Sequence, residues 1–107
     1  MNDTDAVISA PDSHKVILEN ENVRVLEVAI LPGKKEPMHT HERSSVMIVD
    51  SSTKIRYYTE SNNGTEYPER EATKEKPFIE WLAPEGLHAV ENLDQEKTYH
   101  AIRIELK

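Results

Sequence analysis

Apolar residues fall into short runs broken by turn residues at intervals of about ten positions, and nothing sustains a helical period. Lys15-Val16-Ile17-Leu18 predicts a short strand, ended by Glu19-Asn20-Glu21-Asn22. Val23 to Leu31 predicts a longer one, apolar on both parities at its centre, so both faces should be covered. Pro32-Gly33 predicts a turn, with glycine accepting a positive φ. Strands follow at Ser45 to Val49 and at Lys54 to Thr59, the second alternating and rich in β-prone residues. Ser61-Asn62-Asn63-Gly64 predicts a hairpin turn, and residues 65–76 a ragged, charged, exposed strand. Phe78 to Leu82 predicts a strand turned by Ala83-Pro84-Glu85-Gly86, and His88 to Asn92 another, turned at Leu93 to Lys97. In the last run, Thr98 to Leu106, Ile102, Ile104 and Leu106 share one face and Arg103 and Glu105 the other. The apolar set, and His100 with it, is expected to face inward. Frequent turns without helical period predict an all-β sandwich or barrel.

The length of 107 residues allows one core. Residues 1–14 read as an N-terminal arm, polar and interrupted by Pro11, either loose or docked on a partner subunit. Residues 15–107 read as the folded domain. Hydrophobic residues at 36% make a thin core, which burial at a subunit interface would help. Thirteen basic residues against 20 acidic ones give a net charge of −7, which argues against nucleic-acid and anionic-membrane partners. The absence of cysteine excludes disulfides, thiolate metal sites and cysteine nucleophiles. No apolar run approaches a membrane span, and the opening residues do not resemble a secretory signal, so a soluble cytoplasmic protein is expected.

The candidate chemistry lies in the histidines. In a strand, residues i and i+2 point to one face, so His39 and His41 would project together. His88 begins a distant strand, also just after a Pro/Gly turn. Three neutral imidazoles meeting in a barrel would suit Fe, Ni, Cu or Zn. A His-x-His pair alone is more often a polar edge-strand pair than a ligand pair. Two of only three glycines sit at fixed offsets from these histidines, which favours the metal reading.

Gly33, five intervening residues and His39-Thr40-His41 resemble the first motif of the cupins, and Pro84-Glu85-Gly86-Leu87-His88-Ala89-Val90-Glu91-Asn92 resembles the second. The resemblance covers roughly residues 15–107 and is greatest to the small single-domain cupins often labelled β-alanine degradation proteins, a label that carries no function here. It implies a double-stranded β-helix, or jelly-roll, barrel that is usually a homodimer. It also implies one divalent metal on His39, His41 and His88. Ser45 and Val46 occupy the positions where the family carries a glutamate, leaving the fourth ligand open; Glu42, adjacent to His41, should point away. Three neutral ligands would keep the ion's full charge and favour an anionic, chelating small molecule.

Two functions follow from the resemblance. One is an enzyme, a three-histidine dioxygenase or a lyase/isomerase on a small organic acid. The other is a non-catalytic binding or sensing module using the same pocket. His100 could donate from behind the ligands or rest as a core histidine. One of Arg56 and Tyr57 must face the interior, and Arg56 there would clamp a carboxylate. His14 reads as a surface residue. Metal should leave as pH falls below about 6, where free imidazole protonates.

Overall fold

The computed structural model describes residues 3–59, 66–70 (backbone only) and 78–107. Among the described residues a one-turn helix, α1 (Ala6–Ser9), precedes nine strands: β1 (His14–Glu19), β2 (Val23–Ile30), β3 (His39–His41), β4 (Ser45–Ser51), β5 (Ile55–Thr59), β6 (Glu66–Arg70), β7 (Phe78–Leu82), β8 (Glu85–Asn92) and β9 (Tyr99–Leu106). They form two antiparallel sheets, ordered β1-β2-β9-β4-β7 and β3-β8-β5-β6. Strands adjacent in the chain are often not adjacent in a sheet, so the two sheets interleave and their inner faces enclose one core. Leu26, Val28, Ile30, Met47, Val49, Ile55, Tyr99 and Ala101 make up that core.

The turn at Pro32-Gly33 forms as the sequence predicts. Gly33 has φ +71°, and a side chain there would crowd the Gln95 amide at 3.4 Å. The turn before His88 is shorter than expected, because β8 already begins at Glu85. The expected Asn-Gly turn at 61–64 lies outside the described residues, as does part of the expected strand over 65–76.

Two sequence expectations are corrected. First, β9 is inverted relative to its apolar pattern: Tyr99, Ala101, Arg103 and Glu105 are buried, while His100, Ile102 and Ile104 lie on the other face. Register explains this, since Arg24 pairs with Glu105, which pairs in turn with Ser45, and all three point into the barrel. Second, the segment before β1 is not loose. Asp5 caps α1 by accepting the Val7 N–H at 3.3 Å, and Ala6 and Ala10 are fully buried. Asp5 is itself buried against Arg24, whose Nη1 and Nη2 each donate to its carboxylate at 2.9 Å. The segment thus closes one end of the barrel.

Candidate metal centre

Four imidazoles meet at the closed end. His14 opens β1, His39 and His41 bound β3, and His88 lies within β8 directly opposite His39. Thr40, between the pair, turns the other way and meets the Thr4 hydroxyl at 3.1 Å. Ring centroids are 4.7 Å apart for His14–His39, 5.1 Å for His39–His41, 4.4 Å for His39–His88 and 5.4 Å for His41–His88. None of the four is more than 4% exposed.

Each ring is fixed at Nδ1. His39 and His88 donate to the Pro37 and Gly86 carbonyls at 2.8 and 2.7 Å. His41 donates to the Glu105 carboxylate at 2.9 Å. His14 Nδ1 lies 2.9 Å from Ser13 Oγ and 3.3 Å from the Ala10 carbonyl, and the Ser13 hydroxyl donates to Glu36 at 2.8 Å. Carbonyls and carboxylates only accept, so the ring proton sits on Nδ1 and the Nε2 lone pair is left for the interior. His39 Nε2 is buried and has no hydrogen-bond partner. A buried acceptor is seldom left alone unless something else occupies it.

Burial holds His14, His39 and His41 neutral, as a ligand must be. It lowers His39 to about 4, helped by His88, and His14 and His41 to about 2, helped by neighbouring cations and rings. One nitrogen from each of His14, His39 and His41 lies within 4.8 Å of the others. Nitrogens set tetrahedrally about one ion at ~2.1 Å lie roughly 3.4 Å apart, so movement of up to about 0.7 Å per ring closes the set. This buried three-histidine group can bind a metal ion.

Behind His41 runs a charged chain. Glu105 accepts Arg24 Nε–H at 2.5 Å through its other oxygen, and Arg24 holds Asp5. The chain therefore ties a ring nitrogen in the barrel to the segment that closes it. Carboxylates also stand near the free nitrogens. Glu36 Oε1 is 3.6 Å from His39 Nε2, and Glu85 Oε2 is 3.5 Å from His88 Nε2. Burial pushes the Glu36 carboxyl up to about 7, against its bonds from Ser13 and the Val90 N–H. Burial would raise Glu85 too, but His88, Arg103 and Tyr57 overcome it and lower it to about 2.

A cavity of about 310 Å³ opens from the cluster between the sheets, large enough for a small molecule. Its wall includes Tyr57, stacked on His88 at 5.3 Å, with Glu80, Arg103 and the apolar Ile30, Met47 and Val90.

No family model matches the chain, and no curated protein does. Solved structures do. A cupin domain from Bordetella pertussis Tohama I matches with a TM-score of 0.73 at 20% identity, over 88% of this chain and 91% of that one. An RmlC-like cupin family protein from Methanocaldococcus jannaschii gives 0.61 at 11% identity, over 87% and 77%. A cupin-like protein from Thermotoga maritima gives 0.59 at 21% identity, over 86% and 65%. The fold is that of the cupins. At these identities the likeness extends to fold alone, and the β-alanine label gains nothing from it.

Within this cupin barrel the structure brings His39, His41 and His88 together, and Tyr57 joins them on the cavity wall. Arg56 and His100 do not join them. Arg56 shares the outer side of its sheet with Glu91, 3.7 Å away, because Tyr57 takes the inward parity of β5. His100 faces outward between Glu27 at 3.0 Å and Asp50 at 2.5 Å, and those two carboxylates raise its pKa. Ser45, where the family carries a glutamate, is fully buried and accepts Arg103 Nε–H at 3.0 Å. Glu42 is exposed, as alternation predicts.

Sequence reasoning missed His14, which is buried rather than superficial. It shares parity with Val16, but only the pairing of His14 with Val28 shows that this parity is the inner one. Arg103 and Glu105 were missed for the same reason: their strand's face was judged from its isoleucines.

Proposed function

We propose that this cupin holds one divalent transition-metal ion, of the Fe, Ni, Zn or Cu type, on His39, His41 and His88, with His14 as a fourth imidazole. We propose further that it catalyses proton transfer on a small organic acid in the cavity, a lyase or isomerase reaction. The observation that carries this reading is the convergence of four rings anchored at Nδ1, with His39 Nε2 buried and unpartnered. Bound there, the ion would supply Lewis-acid polarisation of a substrate oxygen.

The chain's own residues supply the rest. Glu36 faces the cavity, its oxygens oriented by Ser13 and the Val90 N–H at 2.8 and 3.1 Å, so one carboxyl is poised to take a proton from a bound molecule. Tyr57 donates to Glu85 at 2.7 Å, and Arg103 holds the other Glu85 oxygen at 2.7 Å, which fixes a second proton-handling pair on the opposite wall. Apolar Ile30 and Val90 limit water around the bound molecule. Charge selects the ligand. With Glu36 titrating near 7, Glu36, Glu80 and Glu85 against Arg103 put the wall between 1 − 2 = −1 and 1 − 3 = −2, and a 2+ charge brings it to zero or slightly positive. A monocarboxylic hydroxy or keto acid suits such a site better than a polyanion. The carboxyl groups on the cavity wall, Glu36 and the Tyr57–Glu85 pair, favour proton transfer over a dioxygenase.

Elemental analysis of untagged protein tests the centre. Wild type should carry one ion per chain, and His41→Ala under a tenth of that; wild type that stays empty after incubation with each metal ends the proposal. The reaction class is read by deuterium exchange from D2O into small hydroxy and keto acids. Exchange that disappears in Glu36→Gln while metal content holds is the expected result. Oxygen consumption would instead mark a dioxygenase, and binding without turnover a sensing module.

A further inference from the structure

Among the described residues two arginines are buried inside the barrel, Arg24 at 2% exposure and Arg103 at 3%. Arg24 is satisfied at every nitrogen, Nε by Glu105 and both Nη atoms by Asp5. Arg103 is not. Its Nε donates to the Ser45 hydroxyl at 3.0 Å and its Nη2 to Glu85 at 2.7 Å, while Nη1 has no hydrogen-bond partner among the described residues. Two N–H groups on Nη1 and one on Nη2 are thus unused. The side chain lines the cavity, and with Nε and Nη2 turned to Ser45 and Glu85, Nη1 is the nitrogen left for a molecule inside it. The surroundings answer the charge only in part. On its own sheet Arg103 pairs across strands with Leu26 and Met47, both buried and apolar. Ser45, where the family carries a glutamate, offers a neutral hydroxyl in place of a second carboxylate. The other Glu85 oxygen is taken by the Tyr57 hydroxyl. Holding a guanidinium out of water is costly unless its donors are used.

We propose that Arg103 is the receptor for the ligand's carboxylate, gripping it through Nη1 and the unused Nη2–H, so that the ligand brings into the cavity the carboxylate this chain lacks at Ser45. This rests on the reading of the cavity as a site for a small organic acid. Guanidinium and carboxylate form a two-point, charge-assisted pair that an alcohol, a ketone or an amide does not match. Position sets the ligand's orientation. The Glu85 carboxyl reaches from Arg103 Nη2 at 2.7 Å to within 3.5 Å of His88 Nε2, so guanidinium and imidazole stand one carboxyl group apart. A carboxylate held on Arg103 leaves a hydroxy or keto oxygen on the adjacent carbon for the imidazole end of the cavity. Arg103 thereby selects acids over their neutral analogues and fixes which end of the molecule meets the rings.

Calorimetric titration of zinc-loaded protein with lactate and pyruvate, each against its uncharged amide, tests this. Zinc itself attracts carboxylates, so the decisive comparison is Arg103→Lys, which keeps a cation for Glu85 but has no second nitrogen for the cavity. Wild type should bind each acid at least about 10-fold more tightly than its amide. Arg103→Lys should lose about 10-fold or more in affinity for the acids and stay within about 3-fold for the amides, with zinc content and far-UV circular dichroism unchanged. Acid affinity that holds in Arg103→Lys, or falls no more than amide affinity, overturns the inference and leaves the reading of the cavity standing. A wild type that binds none of the four compounds overturns both. Should Arg103→Lys not fold, nitrogen NMR of the arginine side chains in wild type decides. The Arg103 Nη signals should move with lactate and not with lactamide, and signals that stay in place with lactate bound overturn the inference.

Discussion

Glu105 is the residue through which the barrel's framework reaches a candidate ligand. Its two oxygens serve different masters: one accepts Arg24 Nε–H at 2.5 Å and the other His41 Nδ1–H at 2.9 Å, with the side chain 1% exposed. Glu105→Gln keeps the shape but offers one acceptor and one donor to two donors. If the amide oxygen turns to Arg24, the NH2 confronts His41 Nδ1–H, and the ring can accept only by moving its proton to Nε2. If it turns to His41, Arg24 Nε–H faces an NH2 group and loses its Glu105 acceptor. A buried donor left unsatisfied costs about 1–3 kcal/mol, and loss of one member of a buried ion pair about 3–5 kcal/mol, so metal-free Glu105→Gln should lose roughly 3 kcal/mol. The first arrangement disturbs the His41 tautomer and the second replaces its charged acceptor by a weaker neutral one, so metal affinity should fall by about 10–100-fold. Asp5→Asn is the control, because it weakens the same chain one step further from the ring. It should cost comparable stability yet leave metal affinity within about 3-fold. Guanidinium unfolding of metal-free protein gives the first quantity and competition against a chelator the second. Equal metal affinity in wild type and Glu105→Gln, with stability lost, would refute the reasoning and leave Glu105 a purely structural residue.

Other outcomes follow from the same geometry. Metal-free protein should lose stability as pH falls below 6.5, because the unfolded chain then takes up protons that His14, His39 and His41, lowered by burial, refuse when folded. For His39, held near 4, the loss amounts to about 3 kcal/mol by pH 4, and a flat unfolding midpoint between pH 7.5 and 5 would contradict it. The expectation that metal leaves below about pH 6 shifts accordingly: proton competition should begin lower, and release should track unfolding in a pH series of elemental analysis. His14→Ala should lower metal affinity while His100→Ala, on the outer face, leaves it unchanged; equal losses in a chelator titration would remove His14 from the centre. Leu26→Ala, in the fully buried core, should cost about 2–5 kcal/mol by denaturant unfolding, with a cost under about 1 kcal/mol counting against this packing.

The period of the apolar runs and the turns between them were enough to read an all-β sandwich or barrel from the chain, and the resemblance carried by Gly33, His39, His41 and the stretch Pro84 to Asn92 narrowed it to the cupin barrel. The spacing of His39 and His41 was enough to place two rings on one face. These are local facts: strand alternation and the conformational freedom of glycine act over a few residues and need no partner. Which face of a strand is the inner one is not local. In β9 the isoleucines suggested one parity and register imposed the other, because inside the barrel Glu105 meets Arg24 and His41, and Arg103 meets Ser45 and Glu85. The same dependence hid His14, decided between Arg56 and Tyr57 for the cavity wall, and put Glu36 and Glu85 beside the rings in place of a carboxylate at Ser45. A single strand's pattern distinguishes its two faces but does not rank them. Only the pairing of distant strands decides where a charge is desolvated and must find a partner, so only the tertiary structure determined how the site is composed.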